Sequence, residues 1–263
     1  MKILAITNQK GGVGKTTTCV NLAASLAATR RRVLLIDLDP QGNATTGSGV
    51  DKSALKLTIY HVLIGDKTLN EVLVSSEVGG FDVIPANREL AGAEVELVNE
   101  LARETRLKNA LAQLNGNYDY VLIDCPPALN LVTVNALTAA HAVMIPMQCE
   151  YYALEGLSDL VNTIKKVRAY LNPDLEIEGL LRTLFDPRNM LAQQVSAQLT
   201  QHFGDKVYRT VIPRNVRLAE APSYGVPVLS HDKSSKGAQA YLALAGELIN
   251  RNATQTGIGE AHG

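Results

Sequence analysis

The chain has 263 residues, 46% hydrophobic and 19% charged, with 25 basic against 26 acidic side chains and a net charge of −1. That composition belongs to a folded globular protein with apolar material for a large core; its charge balance excludes nucleic-acid binding through bulk charge and leaves only local patches. Three cysteines, Cys19, Cys125 and Cys149, are odd in number and far apart, which suits a reducing compartment and neither a disulfide framework nor a metal cluster.

The first element is a strand at Ile3–Thr7, in an apolar branched run that suits a buried parallel strand. It follows Met1 at once, so no signal peptide is expected. Residues 9–17 then read Gln-Lys-Gly-Gly-Val-Gly-Lys-Thr-Thr. Gly14-Lys15-Thr16 is the end of a phosphate-binding loop, and the helix-forming run Val20–Ala28 after it completes the strand, loop and helix that the motif requires. Gly11, Gly12 and Gly14 let backbone N–H groups approach phosphate oxygens, and the helix N-terminus adds its unpaired N–H groups and dipole. Lys15 is expected to reach the β- and γ-phosphates and the Thr16 hydroxyl to hold Mg²⁺. Lys10 is unusual. It follows Gln9, where a standard loop of this type has its first glycine, so the loop has two lysines.

A second strand, Val33–Asp37, runs into Leu38-Asp39-Pro40-Gln41-Gly42-Asn43. Residues two apart share a strand face, so Asp37 and Asp39 would point together if pairing continued. Asp39, nearer the end, is the candidate for orienting an attacking water or accepting its proton; a turn-capping role is the alternative. A strand at Phe81–Pro85 and a long helix at Leu90–Leu114 come next. Tyr120–Asp124 has the Walker B pattern, with Asp124 expected to hold Mg²⁺ through a water. Cys125 is expected to be a buried core thiol without a catalytic role, and Pro126-Pro127 stiffen the exit.

The remaining strands are expected at Ala142–Met147, Ile177–Phe185 and Val207–Ile212. The remaining helices are Leu131–Ala139, Leu154–Leu171, Ala192–His202 and Ala238–Asn250. This alternation predicts an α/β fold of the P-loop NTPase kind, a doubly wound and mostly parallel sheet with helices on both faces. Residues 1–251 read as a single domain and 252–263 as a flexible tail without the basic pattern of a membrane-surface helix. The guanine-reading pattern Asn-Lys-x-Asp is absent, which favours ATP.

From Lys206 to Ala219 there are four basic residues, Lys206, Arg209, Arg214 and Arg217, and no acid; Arg182, Arg188 and Lys165-Lys166-Val167-Arg168 lie in the same half. Most such runs are solvated faces, and the functional alternative is a site for phosphate backbone without sequence preference.

Jointly, the segments 10–17, 37–43 and 124–127 resemble the ParA/MinD family of deviant Walker A ATPases. Gln148 to Leu157 and Val211 to Arg217 are similar to its chromosomal ParA branch, often called Soj. The resemblance extends nearly to Asn250. It implies an ATP-dependent sandwich dimer in which Lys10 crosses to the partner's phosphates. Lys15, Thr16 and the rest of the loop (Gly11, Gly12, Val13, Gly14, Thr17) act in cis, Asp39 helps activate water and Asp124 supports Mg²⁺. It further implies adenine contacts at Pro213 and Asn215, non-specific binding of double-stranded DNA through Arg188 and Arg217, and slow hydrolysis stimulated by a ParB-type centromere-binding partner. The implied setting is a cytoplasmic, nucleoid-associated protein partitioning a chromosome or plasmid. MinD-like or other cargo-positioning ATPases are the alternative, and the expected tail argues against membrane recruitment. Pro187 stands where the branch more often has a small residue, which bears on the aim of Arg188.

Overall fold

A computed structural model describes residues 1–259. Among these, eight strands form one sheet: β1 (Lys2–Ile6), β2 (Val33–Asp37), β3 (Val74–Ser76), β4 (Phe81–Ile84), β5 (Tyr120–Asp124), β6 (Ala142–Gln148), β7 (Glu176–Phe185) and β8 (Val207–Pro213). The helices are α1 (Lys15–Ala28), α2 (Asn43–Gly47), α3 (Ile59–Ile64), α4 (Leu69–Val72), α5 (Leu90–Glu96), α6 (Arg106–Ala112), α7 (Leu131–Ala139), α8 (Ala153–Tyr170), α9 (Met190–Phe203), α10 (Val216–Glu220), α11 (Val228–His231) and α12 (Lys236–Gly259).

The sheet order is β3-β4-β2-β5-β1-β6-β7-β8, and only β3 runs antiparallel to its neighbour. This is the doubly wound α/β sheet that the alternation of strands and helices predicts. Strands β2 and β5 are buried along their whole length because both sheet faces are covered. Successive residues of β1 serve opposite faces. Leu4 and Ile6 pack with Leu22 and Leu26 of α1 and Tyr241 and Leu244 of α12. Ile3 and Ala5 join Leu63 of α3, Leu107 of α6, Val132 of α7 and Leu160 of α8 on the other face. From β1 the chain winds first toward β2 and later toward β6, so the direction of winding reverses beside β1. A crevice opens at the carboxyl end of such a strand.

Three expectations change. The helix predicted at Leu90–Leu114 is broken into α5, two short 3-10 turns and α6, with Ala102 at φ 54°. Asn135 of α7 supports the break, because its side chain donates to the Arg103 carbonyl (2.8 Å) and accepts from the Leu107 N–H (3.1 Å). The short edge strand β3 has no clear apolar alternation and was not anticipated. Helix α12 continues to Gly259, past Asn252 where the tail was expected to begin. The rest of that tail lies outside the described residues.

Candidate nucleotide site and basic edge

Residues 7–14 cross the crevice at the end of β1. Neighbouring strands hold the loop: the Asn8 side chain donates to the Pro146 carbonyl of β6 (2.8 Å), and the Thr183 hydroxyl of β7 donates to the Val13 carbonyl (2.7 Å). Gly12 (φ 75°) and Gly14 (φ 85°) have the left-handed backbone that a side chain would strain. A Cβ built on Gly11 or Gly12 meets nothing within 4 Å, so the outer face of the loop is open. Gly14 caps α1, whose first residues Lys15, Thr16 and Thr17 present unpaired N–H groups to this opening.

The two lysines differ sharply. Lys15 is 7% exposed, and its ammonium donates to the Lys10 carbonyl across the loop (3.0 Å). Burial lowers its pKa, and Asp124 is foremost among the nearby acids that oppose the shift. An ammonium has three donors, so Lys15 keeps capacity for an anion. Lys10 is exposed and its ammonium is paired with Glu150, just beyond β6, at 2.5 Å. The exposed, edge-to-face Tyr151 and Tyr152 follow Glu150 directly.

The strand-end acids lie beside the loop. Register pairs Asp37 with Asp124, so both end level with Ile6 of β1. Both are fully buried. Burial raises the pKa of each; for Asp124 the charge of Asp37 is the next cause, while Thr16 and Cys19 pull the other way. Asp37 accepts from the Thr45 N–H and hydroxyl, both at 2.8 Å. Asp124 Oδ1 accepts from the Cys19 thiol (3.4 Å), but its Oδ2 is buried without any partner. An unsatisfied buried carboxylate oxygen beside a second buried acid is a strong demand for a cation. The site therefore fits Mg²⁺, with Asp124 and Thr16 as the residues that would hold it or its water.

Asp37 and Asp39 do not act as a pair. Asp37 turns inward to Thr45, whereas Asp39 is half-buried, and one of its carboxylate oxygens caps the turn at the Gln41 N–H (2.9 Å). Asp39 thus has the turn-capping role while remaining close enough to influence Lys15. Cys125 is the buried thiol expected of it, its pKa raised by burial. Asp37 as the second buried charge, Glu150 and Cys19 were not assigned roles from sequence. Only the positions of Asp37 and Cys19 next to the motifs hinted at them, and nothing local linked Glu150 to Lys10, 140 residues away.

Pro213 ends β8 in register with Phe185, and Asn215 caps α10 by accepting from the Leu218 N–H (3.2 Å). Pro213, Phe185, Pro187 and Lys236 line an open cavity of about 400 Å³. Strand β8 stands three places from β1, roughly 14 Å at ordinary strand spacing.

The basic residues do not form one cluster. Arg188, Arg214 and Arg217 share the carboxyl end of β7 and β8, but Lys206 precedes β8 at its opposite end, and Lys165 to Arg168 lie where α8 returns to the start of β7. Arg182 turns inward to the Tyr208 carbonyl and the Ser196 hydroxyl. Arg188 forms a two-pronged pair with Asp186 (3.0 and 2.8 Å) across Pro187. Arg217 contacts Glu220 (2.7 Å) and Asp232 (3.4 Å).

The parallel sheet, the glycine loop opening α1 and the acid at the end of β5 define a P-loop nucleoside triphosphatase fold. A family model described as an AAA domain matches residues 1–177. The sporulation initiation inhibitor protein Soj of Bacillus subtilis is 56% identical over 94% of this chain and 98% of its own length. The chromosome partitioning protein ParA of Caulobacter vibrioides is 55% identical over 95% of each chain. A structure of cobyrinic acid a,c-diamide synthase from Mycobacterium smegmatis, with bound ADP and magnesium, superposes with a TM-score of 0.84 at 40% identity, covering 97% of this chain and 96% of its own. The chain belongs to the ParA/MinD family of deviant Walker A ATPases, in its chromosomal ParA (Soj) branch.

Proposed function

We propose that this protein is a chromosome-partitioning ATPase in which Mg-ATP drives a face-to-face dimer that binds DNA without sequence preference. A ParB-type partner stimulates hydrolysis and so releases it. The observation that carries this reading is the contrast between its two lysines. Lys15 is buried inside the loop with donors to spare, while Lys10 is carried on the same loop but held at the surface by Glu150. A buried lysine suits the phosphates of its own subunit, and a surface lysine suits those of a second.

Within one subunit, the backbone N–H groups of residues 11–17 and the Lys15 ammonium hold the phosphates. Asp39 orients the attacking water and accepts its proton. Bound Mg²⁺ supplies charge neutralisation at the phosphate oxygens. Pro213 and Asn215 border the base, and Arg188 and Arg217 contact the DNA backbone after exchanging their carboxylate partners for phosphate. Asn215 would serve the base through its amide nitrogen, since its oxygen caps α10.

A MinD-like membrane role is the second reading; among the described residues no helix is long and apolar enough to cross a membrane. The deciding experiment measures DNA binding with ATP, with ADP and without nucleotide, each with and without a ParB-type protein. Binding that requires ATP and is released by the partner is the expected result. Equal binding in all states, or binding to anionic vesicles in place of DNA, would overturn the proposal.

A further inference from the structure

Helix α1 carries a thiol into the buried face of the acid pair. Cys19 lies one turn beyond Lys15 and is fully buried, and its sulfur is 3.4 Å from Asp124 Oδ1. S–H donors are weak, yet this one is aimed at a carboxylate that is itself fully buried. The other oxygen of that carboxylate, Oδ2, is buried without a hydrogen-bond partner, while the Thr16 hydroxyl, like the thiol, favours the charged form of this group. An unconstrained aspartate in such a site would rotate about its last bond and exchange its two oxygens. A tether on one oxygen opposes this exchange. Asp37 is settled differently, by two bonds to Thr45 that fill Oδ2 and one from the Asp39 N–H to Oδ1 (3.1 Å). The two buried acids are thus divided in role. Asp37 is fully engaged by its own loop, and Asp124 is half engaged and half reserved.

We propose that Cys19 is a positioning residue: its thiol anchors Asp124 Oδ1, so that Oδ2 faces the metal water of the nucleotide site. This rests on the Mg-ATP reading above and adds a residue to it. Groups that orient metal-holding side chains change metal affinity by about 10- to 100-fold when removed. A thiol donor and an indirect metal contact place Cys19 at the lower end of that range.

Two measurements test it. In the protein without nucleotide, the infrared S–H stretch assigned by difference against Cys19→Ala should move to higher frequency in Asp124→Ala, where the acceptor is lost. An unmoved band would overturn the anchor, whatever the protein binds. The second measurement titrates Mg²⁺ against fluorescent ADP binding. Cys19→Ala should need about 10-fold more Mg²⁺ for the same nucleotide affinity, with affinity in EDTA unchanged, and Cys19→Ser, which keeps a donor, should need close to the wild-type concentration. Equal Mg²⁺ requirements for Ala and Ser variants would reduce Cys19 to a packing residue. Failure of the wild type to bind nucleotide would instead refute the nucleotide site, while the infrared result still reads the anchor.

Discussion

The centre and the edge of the sheet carry charge in opposite ways. At the centre, Lys15, Asp37 and Asp124 are buried, and one carboxyl oxygen of Asp124 has no hydrogen-bond partner in the chain. At the edge, Arg188 and Arg217 are exposed and each already has a carboxylate partner. A buried unsatisfied charge is costly and favours any ligand that satisfies it. An exposed pair contributes little to stability and exchanges partners readily. In the proposed function this contrast assigns selection of the nucleotide to the centre and loose, reversible contact with DNA phosphate to the edge.

The sharpest test of the centre is Asp39→Ala, which should lower hydrolysis by about 10²- to 10⁴-fold while nucleotide still binds. Single-turnover hydrolysis at the wild-type rate would restrict Asp39 to its turn. Next, Lys10→Ala should weaken ATP-driven dimerisation at least ~30-fold, the scale of removing one partner of a close charge contact. Monomer ATP affinity should hold, and light scattering with parallel nucleotide titration separates the two.

A smaller effect concerns the acid pair. Both carboxyls hold a proton more tightly in the folded chain than in the unfolded one. Protons are therefore released on unfolding, and the pair's contribution to stability falls as pH rises from the ordinary carboxylate range toward and past neutrality. Asp124→Asn should remove much of that slope and stabilise the nucleotide-free protein at pH 8 by on the order of 2 kcal/mol, with little change at pH 4. Denaturant melts across pH measure it, and parallel curves for the two proteins would contradict the buried pair. The smallest change is expected at the edge. Arg217→Ala should weaken binding on all DNA sequences alike and reduce the salt dependence by about 0.9 in log–log slope per lost phosphate contact. An unchanged slope would leave the arginine to Glu220 and Asp232 alone.

The difference between centre and edge also governs what could be read before the structure. The loop, Asp39 and Asp124 are each written in a contiguous motif at a strand end, so local pattern was enough to single them out as candidates. The edge was read as one basic run, yet Lys206 and Arg214 end up at opposite ends of β8, because a strand separates residues that sequence keeps together. The same limit applies to Leu90–Leu114. Its composition favours one helix, but Asn135 satisfies the backbone of a break and overrides that preference.

By itself the sequence determined the alternation of buried strands and helices, the phosphate loop with its two lysines and the acids at the ends of β2 and β5. These follow from residue type and spacing over a few positions. Only the tertiary structure decided that Lys10 meets Glu150, that Asp37 turns to Thr45, that Asp124 keeps one oxygen free beside Cys19 and that the arginines carry acids of their own. The reason is physical. A side chain's charge state and partner depend on burial and on groups that parallel strand pairing brings together from distant segments, and no local pattern encodes them.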